Sequence, residues 1–238
     1  MSDDAAVGDG RLAELAANLG RVRARLAAAC QAVGRDPGAV SLVAITKTWP
    51  ADDVRRLAAL GVRDVGENRD QEARPKAAAC AGLGLVWHFV GQLQTNKARS
   101  VAGYADVVHS VDRPRLVAAL DRGAAEAGRA VGVLLEVALD GEAGRGGATP
   151  AEVPALAALV AESAALRLLG VMGVAPLGAD PAPAFARLAA VSAALRSEHP
   201  QASWISAGMS GDLEAAIAAG ATHVRVGTAL LGRRAPLG

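Results

Sequence analysis

The sequence is poor in aromatic residues, in cysteine and in net charge. Only 3% of its 238 residues are Phe, Trp or Tyr, so the core must be built mostly from Ala, Val and Leu. The two cysteines, Cys30 and Cys80, cannot form a disulfide scaffold and are expected to be small buried apolar residues. Because 25 Lys and Arg face 24 Asp and Glu, no basic excess indicates binding to nucleic acid.

Long apolar runs and targeting signals are missing as well. No charge-free apolar run reaches the length of about 18 residues that a membrane-spanning helix needs. The first ten residues, MSDDAAVGDG, are acidic and lack the basic region and apolar core of a signal peptide. We therefore expect a cytoplasmic protein in which residues 1–10 form a flexible tail and residues 11–238 form one domain. The four histidines show no metal-binding spacing such as HExxH, so no metal site is expected.

Strand-like apolar segments alternate with helical segments about eight times along the chain. This alternation predicts an α/β fold, a single (β/α)8 TIM barrel with an extra N-terminal helix over residues 11–33. An open doubly wound sheet is the alternative, but the first strand is followed by 47–50, KTWP, without a glycine-rich phosphate turn. The predicted strands are residues 40–47, 62–66, 85–91, 105–111, 131–139, 166–174, 204–206 and 223–226.

The first predicted strand ends on a lysine, Lys47. The apolar run before it indicates a strand buried on both faces, where a charged side chain would be costly. At the C-terminal end of the strand the lysine can point into the mouth of the barrel and form a Schiff base with a carbonyl compound. The alternative is an ordinary solvated lysine at a strand end.

Functional side chains of such barrels lie at the C-terminal ends of the strands, and phosphate sites usually follow strands seven and eight. Those two places read SAGMSGD over 206–212 and RVGT over 225–228. Glycines let the backbone approach a phosphate, and hydroxyls and free N–H groups donate to it. The strand-end residues are Lys47, Asn68, His88, Gly91, His109, Ser110, Asp140, Met172, Ser206, Ser210, Gly227 and Thr228.

A lysine that faces a phosphate cradle suggests a phosphorylated aldehyde held at both ends. Pyridoxal 5′-phosphate (PLP) is the obvious candidate. Arg225 shares a strand face with Gly227 and can reach the pyridine nitrogen, where an arginine would discourage ring protonation. The alternative for Arg225 is a strand arginine paired with a carboxylate.

Several unrelated motifs, found in order over most of the chain, resemble the pyridoxal phosphate homeostasis proteins. That family is similar to the barrel half of alanine racemase and carries PLP on a lysine of the first strand. The GEAGRGG loop over 141–147 matches the family's loop after strand five in position, with Arg145 to Gly147 in place of a Lys-Xaa-Gly element. The motifs are VAITKTWP, GENRDQE, WHFVGQLQTNK, HSVDR, GVMGV and the segment 205–232, which begins ISAGMSGD and ends VGTALLG.

The resemblance implies a role for each of eight residues. It implies that Lys47 forms the Schiff base, that Asn68 approaches the ring hydroxyl, and that Met172 packs near the ring. Arg225 would face the ring nitrogen. The residues implied to hold the phosphate are Ser206, Ser210, Gly227 and Thr228.

The function implied by the resemblance is storage or delivery of PLP within the cell, with little turnover. PLP-dependent apoenzymes are candidate acceptors of the cofactor, and a monomer is expected. Two alternatives stay open: a PLP-dependent amino-acid racemase, and a Schiff-base aldolase that acts on a sugar phosphate without PLP. A structural role is predicted for His88. Asn96 and Lys97 either line an opening or cap a short helix.

Overall fold

Eight parallel strands form a closed barrel in this computed structural model, which describes residues 3–139 and 146–232. The strands pair in the order of the sequence, and the last strand returns to pair with the first. The predicted TIM barrel is therefore confirmed, and the open doubly wound sheet is wrong. The strands are β1 (Ser41–Ile45), β2 (Asp64–Glu67), β3 (Val86–Phe89), β4 (Val107–Val111), β5 (Val131–Glu136), β6 (Leu166–Met172), β7 (Trp204–Ser206) and β8 (His223–Val226).

Helices follow the strands and cover the outside of the barrel. All the predicted helices are present, and α9, a single turn after β8, was not predicted. The helices are α1 (Asp3–Ala32), α2 (Ala51–Ala59), α3 (Asp70–Ala79), α4 (Ala98–Ala102), α5 (Pro114–Glu126), α6 (Val153–Ala161), α7 (Ala182–Glu198), α8 (Leu213–Ala218) and α9 (Thr228–Leu231).

The first helix is longer than the sequence predicted. It begins at Asp3 rather than at residue 11 and so runs through most of the segment expected to be a flexible tail. Residues 3–10 contain no proline, and therefore nothing in that segment removes a backbone donor from the helix. The division of the chain at residue 10 stays a prediction.

Most of the apolar core lies between the strands and the helices that surround them. One part of it, around β3 to β7, includes the fully buried Leu116, Leu135 and Leu188. The other part lies under α1 and includes Leu15 and Leu57. Leucine, valine and alanine dominate both parts, as the scarcity of aromatic residues predicted.

The two cysteines are free and buried, as their alanine-rich surroundings predicted. Cys30 lies in α1, and Cys80 follows the last turn of α3. Among the helices of the described ranges, none is long and apolar enough to cross a bilayer.

One glycine shapes the rim of the barrel where β2 and β3 end. A Cβ atom on Gly91 would lie 2.2 Å from the backbone oxygen of Asn68. Only a glycine lets the segment after β3 pass this close to the segment after β2. The close approach holds Asn68 at the C-terminal mouth of the barrel.

Candidate functional site

A cavity of about 350 Å³ opens at the C-terminal ends of the strands. It contains every residue that the sequence predicted as a cofactor contact except Ser206. The side of the barrel and the grouping of these residues therefore agree with the sequence analysis. The described residues that line the cavity are Ile45, Lys47, Asn68, Val90, Glu136, Met172, Val174, Met209, Ser210, Gly211, Arg225, Gly227 and Thr228.

A tight turn just after β1 presents Lys47 to the cavity. The Trp49 N–H donates to the carbonyl oxygen of Thr46 at 3.1 Å, which closes the turn around Lys47 and Thr48. Thr48 has a φ of 68°, a strained value for a residue with a branched Cβ atom. Its N–H donates to Glu72 Oε2 at 3.0 Å, and this bond helps to hold the strained turn.

A buried ion pair supports this turn from below. Lys76 Nζ donates to the Thr46 carbonyl oxygen at 2.8 Å and also bonds to Glu67. The Thr46 hydroxyl donates to Glu67 Oε1 at 2.6 Å. Burial raises the pKa of Glu67, although the bonds from Lys76 and Thr46 act in the opposite direction. The buried ammonium of Lys76 is thus occupied by bonds to Thr46 and Glu67, while Lys47 is exposed at the cavity.

Another part of the cavity wall carries two hydroxyl groups and two glycines, from the segments after β7 and β8. Ser210 and Gly211 come from the first segment, and Gly227 and Thr228 from the second. The first segment is held by Arg25 of α1, whose Nη1 donates to the Ser210 carbonyl oxygen at 2.6 Å. Hydroxyls and backbone N–H groups next to glycine form a suitable cradle for a phosphate.

Arg225 lies deeper in the barrel and reaches the cavity from β8. Its Nη1 donates to both the carbonyl oxygen and the hydroxyl of Ser206, at 2.8 and 2.7 Å, and its Nη2 donates to the Gly173 carbonyl oxygen at 3.1 Å. Burial lowers the pKa of Arg225 to about 10, an effect that the charges of Asp212 and Glu136 partly oppose. Arg225 therefore keeps its positive charge at neutral pH.

The carboxylate partner considered for Arg225 in the sequence analysis is not found in residues 3–139 and 146–232. No ion pair involving Arg225 occurs in this part of the chain. Ser206 is fully buried and, within the same ranges, is not part of the cavity wall. Ser206 is bonded to Arg225 through both its carbonyl oxygen and its hydroxyl, and its contact with a phosphate stays a prediction.

Two histidines fill the barrel interior below the cavity. His88 Nδ1 lies 2.8 Å from His109 Nε2, and His88 Nε2 lies 2.9 Å from Asp64 Oδ1. His109 Nδ1 lies 3.0 Å from Ser206 Oγ. Complete burial and the nearby positive groups push the pKa of His109 well below its usual value. His88 is almost fully buried, and the structural role predicted for it stays a prediction.

Glu136, at the end of β5, is a cavity residue that the sequence analysis missed. Burial and the charge of Asp112 raise its pKa to about 7, while Arg225 and Arg113 act in the opposite direction. Its Oε2 atom is buried and has no hydrogen-bond partner among the described residues. The available signal was the single acidic residue inside the apolar segment VGVLLEVAL.

Other residues singled out in the sequence lie beside the site or outside the described ranges. Asp140 and Arg145 are not among the described residues. Lys97 lines a neighbouring groove that also contains Asn68, so the two openings share a wall. Asn96 is exposed within the short 3-10 turn Thr95–Lys97. Within 3–139 and 146–232 no cluster of His, Cys, Asp and Glu could hold a metal ion.

Comparison of the chain with known families and curated proteins gives consistent results. The family described as Alanine racemase, N-terminal domain, matches residues 12–235. The pyridoxal phosphate homeostasis protein of Mycobacterium tuberculosis is 46% identical to this chain, and the match covers 98% of each of the two chains. The protein of the same name from Escherichia coli is 40% identical, with 93% of this chain and 97% of the relative covered.

Solved structures agree with the comparison of sequences. PipY of Synechococcus elongatus with PLP bound is 37% identical, with a TM-score of 0.78 over 92% of this chain and 100% of that chain. Alanine racemase of Streptomyces coelicolor is 21% identical, with a TM-score of 0.75 over 94% of this chain and 59% of that chain. The second likeness shows the shared barrel fold alone.

The raised pKa of Glu136 predicts a stability that depends on pH. In the unfolded chain this carboxyl loses its proton near its ordinary pKa of 4.5, whereas in the folded protein it keeps the proton up to about 7. The unfolded state therefore releases the proton first, and the folded protein loses stability as the pH rises through this window. Glu136→Gln removes this loss. We therefore expect the free energy of unfolding of the variant, taken relative to that of the wild type, to rise by on the order of 2 kcal/mol from about pH 5 to about pH 8.

Urea unfolding of the ligand-free proteins at the two pH values measures this gain. Glu198→Gln, which removes an exposed carboxyl at the end of α7, is the control for the loss of one acidic group. An identical pH dependence in Glu136→Gln and Glu198→Gln would contradict the burial of Glu136.

Proposed function

The chain belongs to the family of pyridoxal phosphate homeostasis proteins, within the alanine racemase N-terminal domain family, and we propose that it binds PLP at the C-terminal mouth of its barrel to store or deliver the cofactor. One observation carries the proposal: a single cavity joins an exposed lysine, a buried arginine and a cradle of two hydroxyls. The relative from Synechococcus elongatus, which was solved with PLP bound, supports the same ligand for this chain.

The cavity fits the cofactor in size and in chemistry. A volume of about 350 Å³ lies within the usual range for small-molecule sites. The Oδ1 atom of Asn68 is buried without a hydrogen-bond partner among the described residues, so it is available to a ligand hydroxyl. Arg225 offers a positive charge with no paired carboxylate in the described part of the chain.

We assign each predicted residue a contact with one part of the cofactor. When bound, PLP supplies an aldehyde that condenses with an amine and a ring that can withdraw electrons. The amine of Lys47 takes the aldehyde as a Schiff base, and the amide of Asn68 meets the ring hydroxyl. Arg225 donates to the ring nitrogen, and Met172 packs beside the ring. Ser210 and Thr228 donate to the phosphate, and Gly227 lets the backbone approach it.

Ser206 has a different task in this proposal. Its hydroxyl and its carbonyl oxygen both accept hydrogen bonds from Arg225, so it orients the arginine rather than the phosphate. The remaining phosphate contacts come from the two segments that follow β7 and β8. The proposal extends to a cytoplasmic protein that passes PLP to apoenzymes. It also extends to a monomer, because the described residues of one chain supply all the contacts proposed here.

Little turnover of amino acids is part of the proposal. Racemisation needs a proton donor and a proton acceptor on opposite faces of the substrate carbon. The single tyrosine, Tyr104, precedes β4 and lines a groove with Trp87 and Asp106, away from the cavity mouth. An arginine at the ring nitrogen keeps that nitrogen unprotonated and weakens the ring as an electron sink. Glu136 is the observation that favours the racemase alternative, because it places a second titratable group in the cavity wall.

We expect Lys47→Ala to abolish the visible absorption of the Schiff base while weaker PLP binding remains. The phosphate contacts are charge-assisted and do not depend on the covalent bond. Absorption spectra and borohydride reduction followed by peptide mass spectrometry measure both effects. Lys97→Ala, in the neighbouring groove, is the matched control and should behave like the wild type. A reduced adduct on Lys76 or Lys97 of the wild-type protein would show that Lys47 is not the attachment site.

We expect Ser210→Ala and Thr228→Val to weaken PLP more than they weaken pyridoxal, which lacks the phosphate. Each variant removes one hydroxyl donor, at a cost of about 1 kcal/mol or more, or roughly fivefold in affinity. Titration of the apoprotein with both ligands gives the ratio. Ser197→Ala, which removes an exposed hydroxyl of α7, serves as the control. Equal weakening of the two ligands would remove Ser210 and Thr228 from the phosphate site.

We expect no racemisation of L-alanine, or of a panel of other L-amino acids, above the rate of an equal concentration of free PLP. Formation of the D-enantiomer is followed by chiral chromatography with the wild type, Lys47→Ala and Glu136→Gln. Turnover well above free PLP that is lost in both variants would establish the racemase alternative, with Glu136 as the second proton-transferring group.

A further inference from the structure

A continuous line of hydrogen bonds crosses the barrel interior from the cavity towards the other end of the strands. It runs from Arg225 through Ser206, His109 and His88 to Asp64. Arg225 Nη1 lies 2.7 Å from Ser206 Oγ, which lies 3.0 Å from His109 Nδ1. His109 Nε2 lies 2.8 Å from His88 Nδ1, and His88 Nε2 lies 2.9 Å from Asp64 Oδ1. We call these five residues the interior chain.

The two ends of the interior chain, together with neutral imidazoles, fix the direction of every bond in it. A guanidinium can only donate and an ionised carboxylate can only accept. If both imidazoles are neutral, His88 donates from Nε2 to Asp64 and accepts at Nδ1 from His109 Nε2. His109 then accepts at Nδ1 from the hydroxyl of Ser206, which itself accepts from Arg225. One arrangement of protons thus satisfies all five residues.

The surroundings of His109 favour a neutral imidazole. His109 is fully buried, and its pKa is lowered first by burial and also by the charge of Arg225. His223 stacks on Trp204 with ring centres 3.9 Å apart, and burial lowers its pKa to about 4. No carboxylate lies within ion-pair distance of His109 in the described ranges, so the negative end of the chain is Asp64, through His88.

The interior chain holds Arg225 in one orientation. Nη1 uses its donors on the two oxygen atoms of Ser206, and Nη2 uses one donor on the Gly173 carbonyl oxygen. The N–H of Nε and the second N–H of Nη2 have no partner among residues 3–139 and 146–232 and remain available to a ligand. Since Ser206 must donate its own proton to His109, it cannot turn its hydroxyl towards the cavity.

We propose that His109 and His88 are positioning residues for the cofactor, which set Arg225 through Ser206 as a fixed hydrogen-bond donor to the ring nitrogen of PLP. The inference rests on the proposed function only in the identity of the ligand. The directed hydrogen bonds themselves are a property of the ligand-free protein. The two parts can therefore be tested separately.

The first test is the tautomer of each ring in the ligand-free protein. Long-range ¹H–¹⁵N NMR of protein labelled with ¹⁵N-histidine distinguishes a proton on Nδ1 from one on Nε2. We expect His109 to be neutral, and His109 and His88 each to carry a proton on Nε2, at about pH 7. A proton on Nδ1 of either ring, or a doubly protonated ring at neutral pH, would overturn the directed chain whether or not the protein binds PLP.

The second test compares PLP with its 1-deaza analogue, in which a C–H group replaces the ring nitrogen. His109→Phe removes both ring nitrogens of the histidine, so Ser206 and Arg225 lose their fixed orientation. We expect the affinity for PLP to fall about tenfold, while the affinity for the analogue changes by less than about twofold. His223→Phe, which changes a buried neighbouring histidine outside the interior chain, should leave the preference for PLP over the analogue unchanged.

Equal weakening of PLP and the analogue in His109→Phe would overturn the positioning role, because damage to the fold alone affects both ligands. If His109→Phe does not fold, Asp64→Ala replaces it, since the Asp64 side chain is 27% exposed. Asp64→Ala should mix the tautomers of His88 and reduce the preference for PLP over the analogue. Asp64→Asn, which keeps an acceptor oxygen, should restore both. Unchanged tautomers and an unchanged preference in Asp64→Ala would also overturn the proposal.

Discussion

The buried positive charge of Arg225 is the constraint on which the interior of this barrel depends. A guanidinium without exposure loses its hydration, and this loss lowers the pKa of Arg225 to about 10. In the described part of the chain the charge is balanced by hydrogen bonds rather than by a direct ion pair. Each bond to a charged group contributes about 1.5–3 kcal/mol, so the acceptors on Ser206 and Gly173 stabilise the arginine substantially.

Closure of the sheet explains why residues from distant strands can together stabilise the buried charge of Arg225. Inward side chains of a closed parallel barrel meet in layers, and these layers are usually filled by branched apolar residues. Here His88 of β3, His109 of β4, Ser206 of β7 and Arg225 of β8 occupy the interior, while most of the buried Leu, Val and Ala belong to the two core parts under the helices. A third and smaller apolar cluster consists of Val107, Leu134 and Met172. Polar residues in the place of an apolar core are costly and therefore mark a functional requirement.

The sequence was sufficient for the architecture because the alternation of strands and helices is regular. The exact bounds of β7 and β8 were predicted, and their following segments hold Ser210 and Thr228 at the cavity. Glu136 was missed because the fifth strand was predicted to end at residue 139, which made Asp140 the strand-end residue. The strand ends at Glu136, and an error of three residues is enough to exchange one carboxyl for another.

Ser206 is absent from the cavity wall for a different reason, since its strand was predicted correctly. Side chains at a strand end differ in depth, and the bonds of Ser206 to Arg225 and His109 draw its hydroxyl down into the barrel. The sequence gives the order of residues along a strand but not the layer that each side chain fills. The interior chain could not be predicted from the sequence either, because its hydrogen bonds join distant residues. Ser206 and His109, for example, are 97 positions apart.

The site divides between a rigid interior and an accessible mouth, and this division suits a protein that must release what it binds. Arg225 and its supporting residues are buried, so the donors that we propose for the ring are fixed before a ligand arrives and add little ordering cost on binding. Lys47 lies on an exposed turn, and Ser210 and Thr228 lie in segments at the rim. The reactive bond and the phosphate contacts can therefore be reached from solvent without moving the core. In the complex that we propose, a weak electron sink held by strong positional contacts would favour retention and transfer of the cofactor over chemistry upon it.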